Sequence, residues 1–248
     1  MTHLFDMRTA TIVLGAALAL SGCDMLTTAL TPSAQPPQSA QPFKPDLSLK
    51  TPGLDVSHFQ GTDISWSDLK TEGIAFVMIK ASQGVSSPDP EFTNHVAGAD
   101  SVDIPTGAYH FFQLGDPGVA QADFFLKTIA GQSLELPPVL DLEGAPSEAD
   151  FKAALDWMTH VKTETGCQPV LYIDEANYRV MAPMLDTTQP IWLAAYTRTL
   201  PGTGLPTNLW YWQHTSQADY TGVSGNVDSD WFFGTPADLA TLGCAGTG

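Results

Sequence analysis

Eight short apolar runs punctuate the chain between residues 53 and 232: "GLDVS" (53–57), "IAFVMIKAS" (74–82), "TGAYHFF" (106–112), "PPVLDLE" (137–143), "QPVLYID" (168–174), "IWLAAY" (191–196), "LWYWQHT" (209–215) and "GNVDSDWF" (225–232). Most are apolar at nearly every position rather than at alternate ones. Such runs fit strands covered on both faces, as in parallel sheets layered by helices. Helix-length segments separate the first six runs, over residues 67–73, 89–99, 118–129, 147–165 and 175–185. The third carries an apolar stripe of Ala120, Phe124, Phe125 and Ile129; the fourth carries Phe151, Ala154, Leu155, Met158 and Val161. After Tyr196 the connections 197–208 and 216–224 are too turn-rich for helices. The pattern predicts an α/β fold, a modified β/α barrel of eight strands and about five outer helices, its last third stripped of them.

In such barrels the active site sits at the carboxyl ends of the strands, and polar residues cluster there. Asp55 ends the first run, Lys80 falls late in the second, and Tyr109 and His110 lie in the third. Asp141 and Glu143 end the fourth, Tyr196 the sixth, and Gln213 and His214 the seventh; Asp228 lies in the eighth. The stretch "PPVLDLEG" is the most pointed of these. Strand alternation puts Asp141 and Glu143 on one face, and two neighbouring anions there resist burial in an apolar core. A solvated strand end would explain one such pair, but not four acids gathered at one rim from distant segments. A carboxylate site follows.

The ends of the chain carry other information. Arg8, an apolar stretch from Thr11 to Leu20 and "LSGC" at residues 20–23 read as an export signal over 1–22, with Cys23 as a lipidated first residue. Asp24 resembles the residue that retains lipoproteins in the inner membrane of enterobacteria. Residues 23–51, with "TPSAQPPQSAQPFKP", read as a flexible tether, and 52–248 as one catalytic domain. The expected location is lipid-anchored, on the outer face of the cytoplasmic membrane or in the outer membrane facing the periplasm. A net charge of −17 excludes the basic footprint of nucleic-acid binding. With Cys23 committed to lipid, Cys167 and Cys244 are either a disulfide or two free thiols.

Together "GLDVSHFQG", "FVMIKASQG", "GAYHFF", "VLDLE", "IWLAAY", "WYWQHT" and "NVDSDWF" resemble, in order, the motifs of glycoside hydrolase family 25, the lysozymes of the fungal Chalaropsis type and of many phage endolysins. The resemblance runs from Gly53 to about Phe233. It implies a β/α barrel with fewer outer helices that cleaves the β-1,4 bond between N-acetylmuramic acid and N-acetylglucosamine in peptidoglycan. By the same resemblance Glu143 is the general acid, Asp141 its partner, and Asp55 and Asp228 the other acids. Tyr109, Tyr196 and Gln213 become substrate contacts, to which Lys80 and a sugar-stacking Trp212 are added. Two departures stand out: Ser82-Gln83, where the family usually carries a Glu, and Asp228-Ser229-Asp230, where it commonly reads Asp-x-Asn.

The expected partners are glycan strands and, through lipid on Cys23, a membrane; the protein is expected to be a monomer without cofactor or metal. Three other readings compete. Barrel chitinases also end their fourth strand in Asp-x-Glu, but with a further Asp where this chain has Val139. A metal-dependent hydrolase would recruit Asp55, Asp141, Glu143, Asp228 and His110, although His110 and Tyr109 are consecutive and cannot share a face. A non-catalytic wall-binding lipoprotein would use Trp66, Trp192, Trp210, Trp212 and Trp231 as stacking faces.

Overall fold

The structure is a computed structural model and describes residues 43–197, 199–200 and 203–244. The signal segment, Cys23 and most of the tether lie outside the described residues. Among the described residues there are nine strands: β1 (Thr51–Val56), β2 (Phe76–Gln83), β3 (Ser87–Pro88), β4 (Thr106–Phe111), β5 (Val139–Leu142), β6 (Val170–Asp174), β7 (Ile191–Ala194), β8 (Leu209–Ala218) and β9 (Val227–Phe232). Eight of them close a barrel in the order β1-β2-β4-β5-β6-β7-β8-β9, and β9 returns to β1. The two-residue β3 only extends the tip of β2 as a hairpin.

The barrel strands β1, β2, β4, β5, β6, β7 and β8 run parallel, whereas β9 is antiparallel to both β8 and β1. The connection between β8 and β9 is too short for a helical crossover, so the chain must turn back on itself. This reversal has a consequence for the site. Asp228 stands at the beginning of its strand yet pairs directly with Asp55 near the end of β1. A parallel last strand would have carried it to the opposite end of the barrel.

Both faces of the strands are buried, which explains their near-continuous apolar composition. Phe76, Met78, Val139, Val170, Trp192, Tyr211 and Phe232 fill the barrel interior. Their sequence neighbours Val77, Ile79, Leu140, Leu171, Leu193 and Trp212 face outward, under the helices. Gly53 lies opposite Phe76 in register, and a Cβ there would collide with the Phe76 ring; glycine leaves the barrel room for that side chain.

Five helices follow the first strands: α1 (Trp66–Thr71), α2 (Phe92–Asp100), α3 (Gly118–Ile129), α4 (Glu148–Thr165) and α5 (Glu175–Met181), and a short α6 (Pro236–Leu239) comes after β9. The boundaries of α4 follow from local chemistry. Ser147 and Asp150 form a reciprocal capping box at its start, and Gly166 ends it in a left-handed conformation. Helix α2 begins three residues later than the 89–99 reading, because Asp89 is committed elsewhere. Its carboxylate accepts hydrogen bonds from the His58 and Glu91 backbone amides and lies 2.7 Å from His58 Nδ1. Pro183 belongs to a 3-10 turn that cuts α5 short of residue 185.

The packed domain starts earlier than residue 52. Phe43 stacks on Phe232 with ring centroids 5.0 Å apart and meets Trp210 edge-on at 5.3 Å. The Asp46 amide donates to the Phe233 carbonyl, at 2.9 Å. An aromatic ring within a Pro- and Ser-rich stretch has apolar area to bury, and the amino-terminal end of the barrel supplies the place. Leu239 and Leu242 belong to the same interior cluster, and a Cys167–Cys244 disulfide (Cα–Cα 5.3 Å) pins the chain just beyond them to the residues leading into β6.

That bond spans 77 residues of chain. Replacing both cysteines by serine is expected to lower unfolding stability by roughly 2–4 kcal/mol, while hydrolytic activity of the folded protein persists, since the bond lies at the end away from the acids. Denaturant titration of the two proteins beside an activity assay checks this; equal midpoints would refute the stabilising role.

Candidate active site

At the carboxyl-terminal rim the inward positions of several strands converge. Asp55, Asp141, Glu143 and Asp228 all line one cavity of about 190 Å³, together with Lys80, Tyr109, Tyr196 and Gln213. Four acids and four of the five expected contacts are therefore in one place. Trp212 is the exception. It points outward, is 2 % exposed, and donates its indole N–H to the Ala195 carbonyl at 2.8 Å. Trp212 and Gln213 are consecutive on a strand, so only one can face the cavity. Trp192 lines the cavity instead.

Further cavity residues escaped the sequence reading, among them Tyr172, Phe59 and Phe111. Tyr172, the inward residue of β6, had a readable signal: in "QPVLYID" it shares the face of Val170 and Asp174. Phe59 follows β1 in a single 3-10 turn whose start is capped by Ser57 and Gln60. At 81 % exposure it is an unshielded aromatic face at the lip. Tyr196, 59 % exposed, is another. Phe111, also on the lining, holds the Lys80 ammonium 4.8 Å from its ring centroid. Among the described residues lining the cavity, Lys80 is the one cation, and its Nζ also donates to Gln83 Oε1 at 3.0 Å.

Gln213 is the hub of the cluster. Its carbonyl oxygen accepts from the Tyr172 hydroxyl at 2.8 Å and from the Tyr196 hydroxyl at 2.7 Å. Its amide donates to Asp55 Oδ2 at 2.8 Å. Strands β1, β6 and β8 and the segment just beyond β7 are thereby tied through one side chain.

The acids sit in a shared, poorly solvated field. Burial raises the Asp55 pKa well above the ordinary carboxylate range, and the neighbouring charge of Asp228 adds to it. Burial and then Glu143 raise Asp141 in the same way, and one Asp141 oxygen has no hydrogen-bond partner. Asp228 is pushed up to about 6 by burial and by Glu143. Burial also raises Glu143; the Tyr172 hydroxyl pulls it down and the Asp174 charge pushes it up. These are the conditions in which one carboxyl keeps its proton while others ionise.

Glu143 has a second distinction. It lines a further cavity of about 240 Å³ with Gly144, Tyr172, Asp174, Ala194 and Tyr196. Glu143, Tyr172 and Tyr196 border both cavities, so the acid stands where the two meet.

His110 turns away from the acids. Its ring lies between Ser82 Oγ at 2.8 Å and Gln121 Oε1 at 3.1 Å, stacked on Trp157. Burial lowers its pKa to about 4, so it is neutral. This placement removes it from a ligand set with the acids, and the Ser82 departure faces outward with it. Among the described residues no group of three or more His, Cys, Asp or Glu is arranged to hold a metal ion. Val139, where a chitinase-type third acid would sit, is fully buried in the barrel interior.

The comparisons agree with this geometry. The model for glycosyl hydrolases family 25 matches residues 54–223. Lysozyme M1 of Streptomyces globisporus is 33 % identical over 209 residues, covering 77 % of this chain and 70 % of that protein. An N,O-diacetylmuramidase of Chalaropsis is 28 % identical over 203 residues, 71 % of this chain and 95 % of its own. The bacterial lysozyme structure from Streptomyces coelicolor superposes with a TM-score of 0.69 at 31 % identity, covering 78 % of this chain and 96 % of that one. With its closed barrel, its acids at one rim and these relatives, the chain belongs to glycosyl hydrolases family 25.

Proposed function

We propose that this protein is a muramidase that cleaves the β-1,4 bond between N-acetylmuramic acid and N-acetylglucosamine within peptidoglycan glycan strands. The observation that carries the reading is the position of Glu143 between two cavities. An acid that cleaves within a polymer needs sugar bound on both sides of the scissile bond, and a junction of two cavities provides both. The muramidase and lysozyme relatives support the same substrate class.

In this mechanism Glu143 donates its proton to the glycosidic oxygen as the bond to the anomeric carbon breaks, and water adds to that carbon and gives up a proton to a carboxylate of the cluster. Its raised pKa keeps that proton available. The carboxylates of Asp55, Asp141 and Asp228 supply negative potential where positive charge develops on the sugar ring. Tyr172, Tyr196 and Gln213 hold those groups and the sugar in register, and the open faces of Phe59 and Tyr196 suit stacking of pyranose rings. Glu143→Gln is expected to lower turnover on purified peptidoglycan by about 10²–10⁴-fold. Wild-type activity is expected to survive EDTA and to release fragments with muramic acid at the reducing end, as read by mass spectrometry. Full activity in Glu143→Gln would remove that residue as the acid; reducing-end glucosamine would make the enzyme a glucosaminidase.

The crowding of acids also sets a stability trend. The folded-state pKa of Asp228 is raised from 3.8 to about 6, so between those values the native protein holds a proton that the unfolded chain has lost. Stability contributed by this group falls as pH rises through that window and stays lowered above it. Asp228→Asn is expected to melt a few degrees above wild type at pH 7 and to converge with it near pH 4, at the expense of activity. Calorimetry at the two pH values measures the difference; a gap that does not shrink on acidification would contradict the assignment.

The reading extends to the place of action. The signal over residues 1–22 and "LSGC" support an exported lipoprotein whose lipid on Cys23 anchors it to a membrane facing the wall. Metabolic labelling with a radioactive fatty acid is expected to mark the protein, and Cys23→Ala to abolish the label and release the enzyme from membranes. Equal labelling of the variant would disprove anchoring at Cys23.

A further inference from the structure

One buried acid takes no part in the chemistry above. Asp230 is 0 % exposed, in the layer beneath the catalytic rim. In register it lies opposite Gly53 on β1 and Gln213 on β8, two residues from Asp228 on the same face of β9. Trp192 donates its indole N–H to Asp230 Oδ1 at 2.9 Å. No donor of the protein reaches Oδ2, yet that oxygen is enclosed. Its charged neighbours are Asp55 and then Asp228, and Asp55 Oδ2 is already occupied by the Gln213 amide.

Two carboxylates in this position cannot both be charged without a cation between them. Lys80 does not supply it, being engaged by Gln83 and the Phe111 ring. One of the pair must hold a proton, and the surroundings decide which. Burial raises Asp55 as well, but it lines the cavity at 7 % exposure and receives an N–H from Gln213, so it carries charge more readily than Asp230. Asp230 has no solvent, one N–H from neutral Trp192, and beside it Asp55, Asp228 and the buried phenol of Tyr211. A proton on Oδ2 gives that oxygen the partner it lacks and makes it a donor to Asp55. Burial, followed by the charge of Asp55, shifts Asp230 in the same direction.

We infer that Asp230 is a neutral carboxylic acid in the working enzyme and a positioning residue: its O–H donates to Asp55 and, with Gln213, fixes that carboxylate beneath the sugar-binding cavity. The acid then offers the hydrogen-bond pattern of an asparagine, one donor toward Asp55 and one acceptor toward Trp192.

The inference rests on the muramidase reading for its kinetic arm alone. Infrared difference spectra of wild type minus Asp230→Asn at pH 7 need no substrate and are expected to show one protonated-carboxyl C=O band lost in the variant. Absence of that band would mean Asp230 is ionised and would overturn the inference whatever the substrate. On peptidoglycan, Asp230→Leu is expected to lower kcat about ten- to a hundredfold, the cost of losing a hydrogen bond to a charged group, with KM little changed. Asp230→Asn is expected to recover most of that loss, because it restores the donor. Equal impairment of the two variants would show that the bond to Asp55 does not matter. Should Asp230→Leu fail to fold, the spectroscopic arm still decides.

Discussion

The barrel depends on how it is closed. Seven parallel strands leave two open edges, and β9 must satisfy both at once. It does so by running backwards, giving hydrogen bonds to β8 on one side and β1 on the other. The same reversal carries the beginning of β9 to the rim where the other strands end. Closure and catalysis are therefore served by one strand: Phe232 and Asp230 fill its inner layers, and Asp228 faces the cleft opposite Asp55. Shifting its register by one residue would place Ser229 in the cleft and drive Asp228 and Asp230 into the outer apolar layer.

Closure also creates an electrostatic problem that the rest of the interior is shaped to contain. Five carboxyls, those of Asp55, Asp141, Glu143, Asp228 and Asp230, lie near one another with a single lysine beside them. Neutral donors do most of the containing: Gln213 and Trp192 toward the aspartates, and two tyrosine hydroxyls toward Gln213. Neutral donors hold a carboxylate in place without fully compensating its charge. Protons consequently stay on some of these groups at pH values where a surface aspartate would be bare. A stability cost at the rim is the counterpart of a usable proton on Glu143.

Much of this was legible in the chain. Runs apolar on both faces indicated covered strands, and their spacing indicated the five helices and the stripped last third. Period-two alternation put Asp141 and Glu143 together and excluded His110 once Tyr109 was admitted. Applied to Trp212 and Gln213, the same rule would have excluded Trp212; "LWYWQHT" is aromatic on both faces, so composition alone could not say which ring faced inward. Tyr172 was passed over because its run lacks a charged neighbour before Asp174. The direction of β9 is written in the shortness of the 219–226 connection, not in the strand itself. The interior role of Asp230 follows from that direction and from the empty face of Gly53, neither of which is local.

Phe43 has a mechanical meaning. It is seated at the closed end of the barrel, against Trp210 and Phe232, while the cleft opens at the other. Any leash on the amino-terminal side of Phe43 pulls on the floor of the barrel and not on its mouth. The load is taken up by Phe43 and by the Asp46–Phe233 backbone bond, a full strand length away from the carboxyls. A pull arriving at that end would be borne by the floor of the barrel, and the acids at its mouth would keep their positions.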